Sequence, residues 1–182
     1  SLTLSGTNTY SGGTSATAGT LLTGNNAAFG TGSVSVSSGA ALDLAGYSVA
    51  NSLNLAGNAL FNSASTAATA SGAISLTGNT TISTAGNLTL SGGISDGSTN
   101  TDAQLIFSNI TGETGTVLLG ADVTTGGLQR YLANVEATNA VTLTASSLEL
   151  GANLSSQEVG LTVAAPITLL DNGSGTPQTR VI

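Results

Sequence analysis

The strongest constraint on this chain is a short phrase that keeps returning. Two branched apolar residues flank one polar residue, and a small residue with Gly follows. It reads Leu2-Thr3-Leu4-Ser5-Gly6, Leu42-Asp43-Leu44-Ala45-Gly46, Leu53-Asn54-Leu55-Ala56-Gly57, Ile74-Ser75-Leu76-Thr77-Gly78 and Leu88-Thr89-Leu90-Ser91-Gly92. Alternation with period two marks a strand with one buried face. Its return along one chain marks a solenoid, in which each winding buries its apolar side against its neighbours.

The intervals set the size of a winding. Leu2 to Leu21 is 19 residues, Leu21 to Leu42 is 21, and Leu53 to Ile74 is again 21. Shorter steps, such as Val141 to Leu148 and on to Leu161, read as successive strands within one coil. At ~20 residues per coil the chain makes ~9 coils, and ~4.8 Å per coil gives a rod of ~43 Å. Gly-Asn pairs at Gly24-Asn25, Gly57-Asn58, Gly78-Asn79 and Gly86-Asn87 supply corners, because both residues tolerate left-handed backbone angles. Asn at equivalent corners is expected to stack as a hydrogen-bonded ladder.

Two stretches break the rhythm. Leu128, Tyr131, Leu132 and Val135 fall at helical spacing, so a short helix near residues 128–136 competes with strand there. Gly173 to Thr179, with Pro177, reads as a loop before Arg180-Val181-Ile182 resumes a strand. The reading is a single all-β segment over 1–182, expected to be cut from a longer repetitive protein because the chain holds no Met and both ends read as interrupted strands.

Composition removes several function classes. Lys is absent, Arg130 and Arg180 are the only basic residues, and the net charge is −7. Neutralising phosphates requires Lys and Arg, so nucleic acid is not an expected partner. Residues 44 to 95 carry no charge, yet Ser, Thr, Asn and Gly interrupt every few positions, so no membrane insertion by this segment is expected. With no Cys, His or Lys, the usual bases and nucleophiles are missing, and the expectation is a protein that is not an enzyme and carries no cofactor.

A few residues still merit weighing. Asp96 and Asp102 bracket an oxygen-rich stretch that suits Ca²⁺, set against a plain hydrophilic turn. Gln129, Arg130 and Tyr131 gather an amide, a cation and an aromatic, the first place to seek ligand recognition. Phe61 and Phe107 sit among strand-like residues and read as core, and Tyr10 as packing at a coil corner.

Residues 2 to 46 resemble the passenger-associated repeat of bacterial autotransporters. The matching text is Leu2-Thr3-Leu4-Ser5-Gly6-Thr7-Asn8-Thr9-Tyr10-Ser11-Gly12-Gly13-Thr14, then Ala18-Gly19-Thr20-Leu21, continuing through Gly30-Thr31-Gly32-Ser33-Val34-Ser35-Val36 into Ala41-Leu42-Asp43-Leu44. The remainder is similar in composition to filamentous-haemagglutinin-type exported surface proteins. The Asn-Thr-Tyr-Ser-Gly-Gly phrase does not recur, which leaves autotransporter and two-partner secretion both open. The resemblance implies a right-handed parallel β-helix, exported through the outer membrane and forming the stalk or body of an extracellular or cell-surface adhesin. Its partner would be an unidentified receptor, a glycan or a second copy. Two other functions remain in view: a self-assembling extracellular fibre or cell-cell adhesion module, and a polysaccharide-binding or polysaccharide-cleaving β-helix.

Overall fold

The computed structural model describes residues 1–97, 102–156 and 159–170, and over them the chain is a parallel β-solenoid of about 8 turns without a helix. The early coils are two-sided. β1 (Leu2–Leu4), β2 (Thr14–Ala16), β3 (Gly19–Thr23), β4 (Val34–Val36) and β5 (Ala40–Asp43) alternate between a first and a second face. A third face begins at β6 (Ser48–Val49).

β7 (Leu53–Asn62) and β9 (Ile74–Thr84) each bend from the second face into the first, with β8 (Ala68–Ala70) on the third face between them. The order third, second, first then repeats. β10 (Leu88–Leu90), β11 (Ile94–Ser95) and β12 (Leu105–Asn109) make one set, and β13 (Thr116–Leu119), β14 (Val123–Thr124) and β15 (Leu128–Tyr131) the next. β16 (Asn134–Ala137), β17 (Val141–Thr144), β18 (Ser147–Leu150), β19 (Leu154–Ser156), β20 (Leu161–Ala164) and β21 (Ile167–Leu169) complete the stack.

Register explains why the phrase repeats. On the first face one inward column runs Leu2, Leu21, Leu42, Leu60, Ile82, Phe107, Tyr131, Leu150 and Leu169, each paired in parallel with the next. The second face stacks Val34, Leu53, Ile74, Ile94, Val123, Leu143 and Val163 in the same manner. The third stacks Ala68, Leu88, Val117, Val135 and Leu154. These columns meet in one continuous core, and each fully buried Leu or Ile contributes about 1.5–3 kcal/mol. In the early coils Ala28 and Phe29, both fully buried, fill the space that a third-face strand occupies later.

Nine rungs on the first face enclose about eight turns over the described residues, against the ~9 coils that the spacing gives for the full chain, and the coils between Leu60 and Tyr131 are the longest. Phe107 follows Ile82, and Tyr131 follows Phe107, at intervals wider than those from Leu2 to Leu42. The helix weighed for residues 128–136 is replaced by β15 and β16, turning at Leu132-Ala133. The loop and strand read over residues 173–182 lie outside the described residues.

The corners are satisfied by side chains reaching backbone, not by a ladder of amides bonded to one another. Asn26, Asn79, Asn87 and Asn134 each accept, through Oδ1, a backbone N–H of a following coil, from Ser48, Gln104, Thr116 and Asn153. Asp43 and Asp122 do the same for Ser63 and Thr142. Where a strand ladder lapses at a turn, its N–H groups need another acceptor, and a short carbonyl-bearing side chain one coil away supplies it.

Candidate functional site

Alternation along β15 separates the three residues expected to form a recognition cluster. Gln129 and Tyr131 point inward and are fully buried, while Arg130 points outward between them. The Tyr131 phenol donates to Gln129 Oε1 over 2.7 Å, and the Gln129 amide donates to Thr144 O at 2.9 Å and to Val123 O at 3.3 Å. Burial pushes the Tyr131 phenol far above the usual tyrosine range, so it stays neutral as a donor. Its ring lies 5.2 Å from that of Phe107, the rung before. Outside, the Arg130 Nε donates to Glu149 Oε2 at 2.6 Å on the next rung. The arrangement is an internal polar contact backed by an ion pair, and it offers a ligand one partly covered cation.

The two aspartates weighed for a cation differ in their settings. Asp96 follows β11, is 7% exposed, and accepts the Gly126 N–H through Oδ2 at 2.6 Å. Asp102 is exposed, and residues 98–101 between them lie outside the described residues. Among the described residues no three His, Cys, Asp or Glu side chains converge. Asp96 thus serves a corner, as Asp43 and Asp122 do.

Of the aromatic residues, Phe107 is fully buried as expected. Tyr10 stands at a corner, 40% exposed, its hydroxyl 2.7 Å from Thr14 Oγ1. Phe61 departs from expectation. Leu60 and Asn62 on either side of it are the inward residues, so Phe61 projects from the outer surface of the first face and is half-buried there. The reason is a polar residue in the core: the buried Asn62 amide accepts from Gly46 N and donates to Thr66 O, both at 2.9 Å.

That position makes the first face unlike the second. The outward column of the second face runs Ser15, Ser35, Asn54, Ser75, Ser95 and Thr124, all small and polar. On the first face Phe61, Ser83 and Ser108 share one outward column, and Thr81 and Ile106 share the next. The small side chains of β9 lie between the bulkier ones of β7 and β12. A hollow of about 510 Å³ results, lined by Ala41, Phe61, Thr81, Ser83, Ser108 and Ile110. A second hollow of about 330 Å³, lined by Asn79, Gln104 and Ile106, has Thr81 in common with it. The sequence gives no sign of this cleft, since it joins residues one and two coils apart across a register shift between Leu55 and Leu60.

Comparison with protein-family models, with curated proteins and with solved structures finds no match.

Proposed function

We propose that this chain is a non-enzymatic structural segment: the β-helical stalk or passenger portion of a secreted or surface-displayed bacterial adhesin. The observation behind this reading is the unbroken first-face column from Leu2 to Leu169. A core stacked lengthwise holds a shaft straight and lets each coil settle on the one before it, which suits a chain that folds as it emerges from a pore. The low charge and the absence of Cys fit a shaft held by backbone ladders instead of disulfides. The autotransporter-like phrase of residues 2–46 supports export through the outer membrane.

Antibodies raised against the purified chain provide the test. They should label intact source cells, or detect the protein in the medium, before any permeabilisation. Signal that appears only after both membranes are opened would overturn the reading.

A further inference from the structure

We propose that the double hollow on the first face binds a neutral oligosaccharide. Its lining combines two chemistries that no purely apolar or charged ligand satisfies together. Phe61 presents a half-buried aromatic ring to the larger hollow, which Ile110 also lines, and Ile106 lines the smaller one. The larger hollow is also lined by the hydroxyls of Thr81, Ser83 and Ser108. Ser83 Oγ and Ser108 Oγ are 2.8 Å apart, so one hydroxyl proton satisfies that pair and the other remains free to donate outward. The exposed Gln104 side chain adds an amide at one end.

A sugar ring has the matching character. Its C–H face carries slight positive charge and lies on the negative face of an aromatic ring, while its edge bears hydroxyls that both donate and accept. A wholly apolar ligand would leave the Thr81 hydroxyl and the free proton of the Ser83–Ser108 pair without partners, at a cost for each. An ionic ligand finds no charged residue in the lining of either hollow. Asp43, which precedes Phe61 in its column, accepts from Ser63 Oγ at 2.6 Å, and Arg130, which follows Ile106, is held by Glu149. An extended peptide would seek a free strand edge, and β9 is paired on both sides along this face. Both volumes lie within the range of small-molecule sites, and Thr81 lines both, so the two hollows are neighbours that successive rings of one sugar chain could occupy.

The inference names a ligand class for the shaft and does not depend on where the chain is displayed, so surface labelling and sugar binding can fail separately. A printed array of neutral and acidic glycans, probed with the labelled protein, selects a ligand. Its affinity is then measured by amide shift titration. We expect at least one neutral glycan to bind and to move the Thr81, Ser83, Gln104 and Ser108 amides saturably. Phe61→Ala should weaken binding about fivefold or more through loss of the ring face. Ser83→Leu, which fills the floor, should abolish it. Both substitutions are outward, and unchanged amide dispersion will show that the fold persists. The proposal is overturned if no neutral glycan is retained, if acidic glycans are preferred, if the shifts map elsewhere, or if Phe61→Ala binds as tightly as the parent.

Discussion

The Tyr131 hydroxyl and the Gln129 side chain meet inside the solenoid, 2.7 Å apart and sealed from water. Each is an inward residue of the same strand, and Gln129 Oε1 accepts the phenol proton while the Gln129 amide nitrogen donates to Thr144 O. Removing the amide leaves the phenol buried and unpaired, and removing the phenol leaves Gln129 Oε1 without its donor, at about 1–3 kcal/mol each, whereas removing both spares that penalty. Tyr131→Phe and Gln129→Leu should each lower stability to urea. The double variant should fall short of the sum of the two, giving a coupling of about 1 kcal/mol or more. Strictly additive denaturation midpoints would show that the contact carries no such coupling.

The same phenol governs behaviour in alkali. An unfolded tyrosine releases its proton near pH 10, and burial pushes Tyr131 far above that in the folded chain. Above about pH 10 the unfolded state therefore holds fewer protons than the folded one, so stability declines as pH rises. Below about pH 10 the contribution is fully present. In a spectroscopic titration the phenolate band of Tyr131 should appear only together with loss of the strand signal in circular dichroism. Tyr131→Phe should lack that late step. A phenolate step from Tyr131 while the strands remain intact would contradict its burial.

Leu55 and Ser75 test the in-and-out pattern directly. Leu55 is fully buried, and Ser75 is the outward partner of Asn54 on the neighbouring rung. Leu55→Asp places an unpaired carboxylate in the core and should cost more than about 4 kcal/mol, enough to abolish cooperative folding at moderate temperature. Ser75→Asp should change stability by less than about 0.5 kcal/mol. Comparable urea midpoints for the two variants would mean that the face assignment is wrong.

Much of this architecture can be read from the spacing of a few residues. Leu2, Leu21 and Leu42 are successive rungs of one column, and Leu53 and Ile74 are successive rungs of another, as their intervals imply. Leu148 lies in the next strand after that of Val141 in one coil, as expected, but Leu161 pairs with Val141 and so belongs to the following coil, with β19 between it and Leu148. Two misreadings, the helix at residues 128–136 and the inward Phe61, share one cause, a polar residue in an inward position. Gln129 and Asn62 are buried, so the apolar alternation is broken in both places. Around Gln129 the remaining apolar residues, with Leu132 outward and 44% exposed, imitate a helical period. Around Asn62 the break sends Phe61 outward where its apolar neighbours suggest core. Nothing local distinguishes a buried amide from an exposed one, because its partners are backbone groups such as Gly46 N–H and Thr144 O, supplied by other strands and corners. The cleft was hidden for the same reason, since its walls come from different coils.

Stacked corners make the last prediction. Gly92 sits above Gly72, and Gly72 above Asn51, with almost no room between backbones. A Cβ on Gly92 would stand 2.1 Å from the Gly72 carbonyl oxygen, and one on Gly72 would stand 2.2 Å from that of Asn51. A carbonyl in a stacked turn cannot retreat without parting the strands on either side. Gly92→Ala must therefore separate β10 and β11 from the coil before them, breaking ladder bonds on two faces, and should cost about 2 kcal/mol or more. Gly12 is the control. A Cβ there meets nothing within 4 Å, and its φ is not positive. Gly12→Ala only reduces the freedom of the unfolded chain and should be neutral or stabilising by up to about 1 kcal/mol. Melting curves of the two variants, measured side by side, should move in opposite directions or with Gly12→Ala unmoved. A Gly92→Ala protein that melts with the parent would mean that these turns are not packed backbone to backbone.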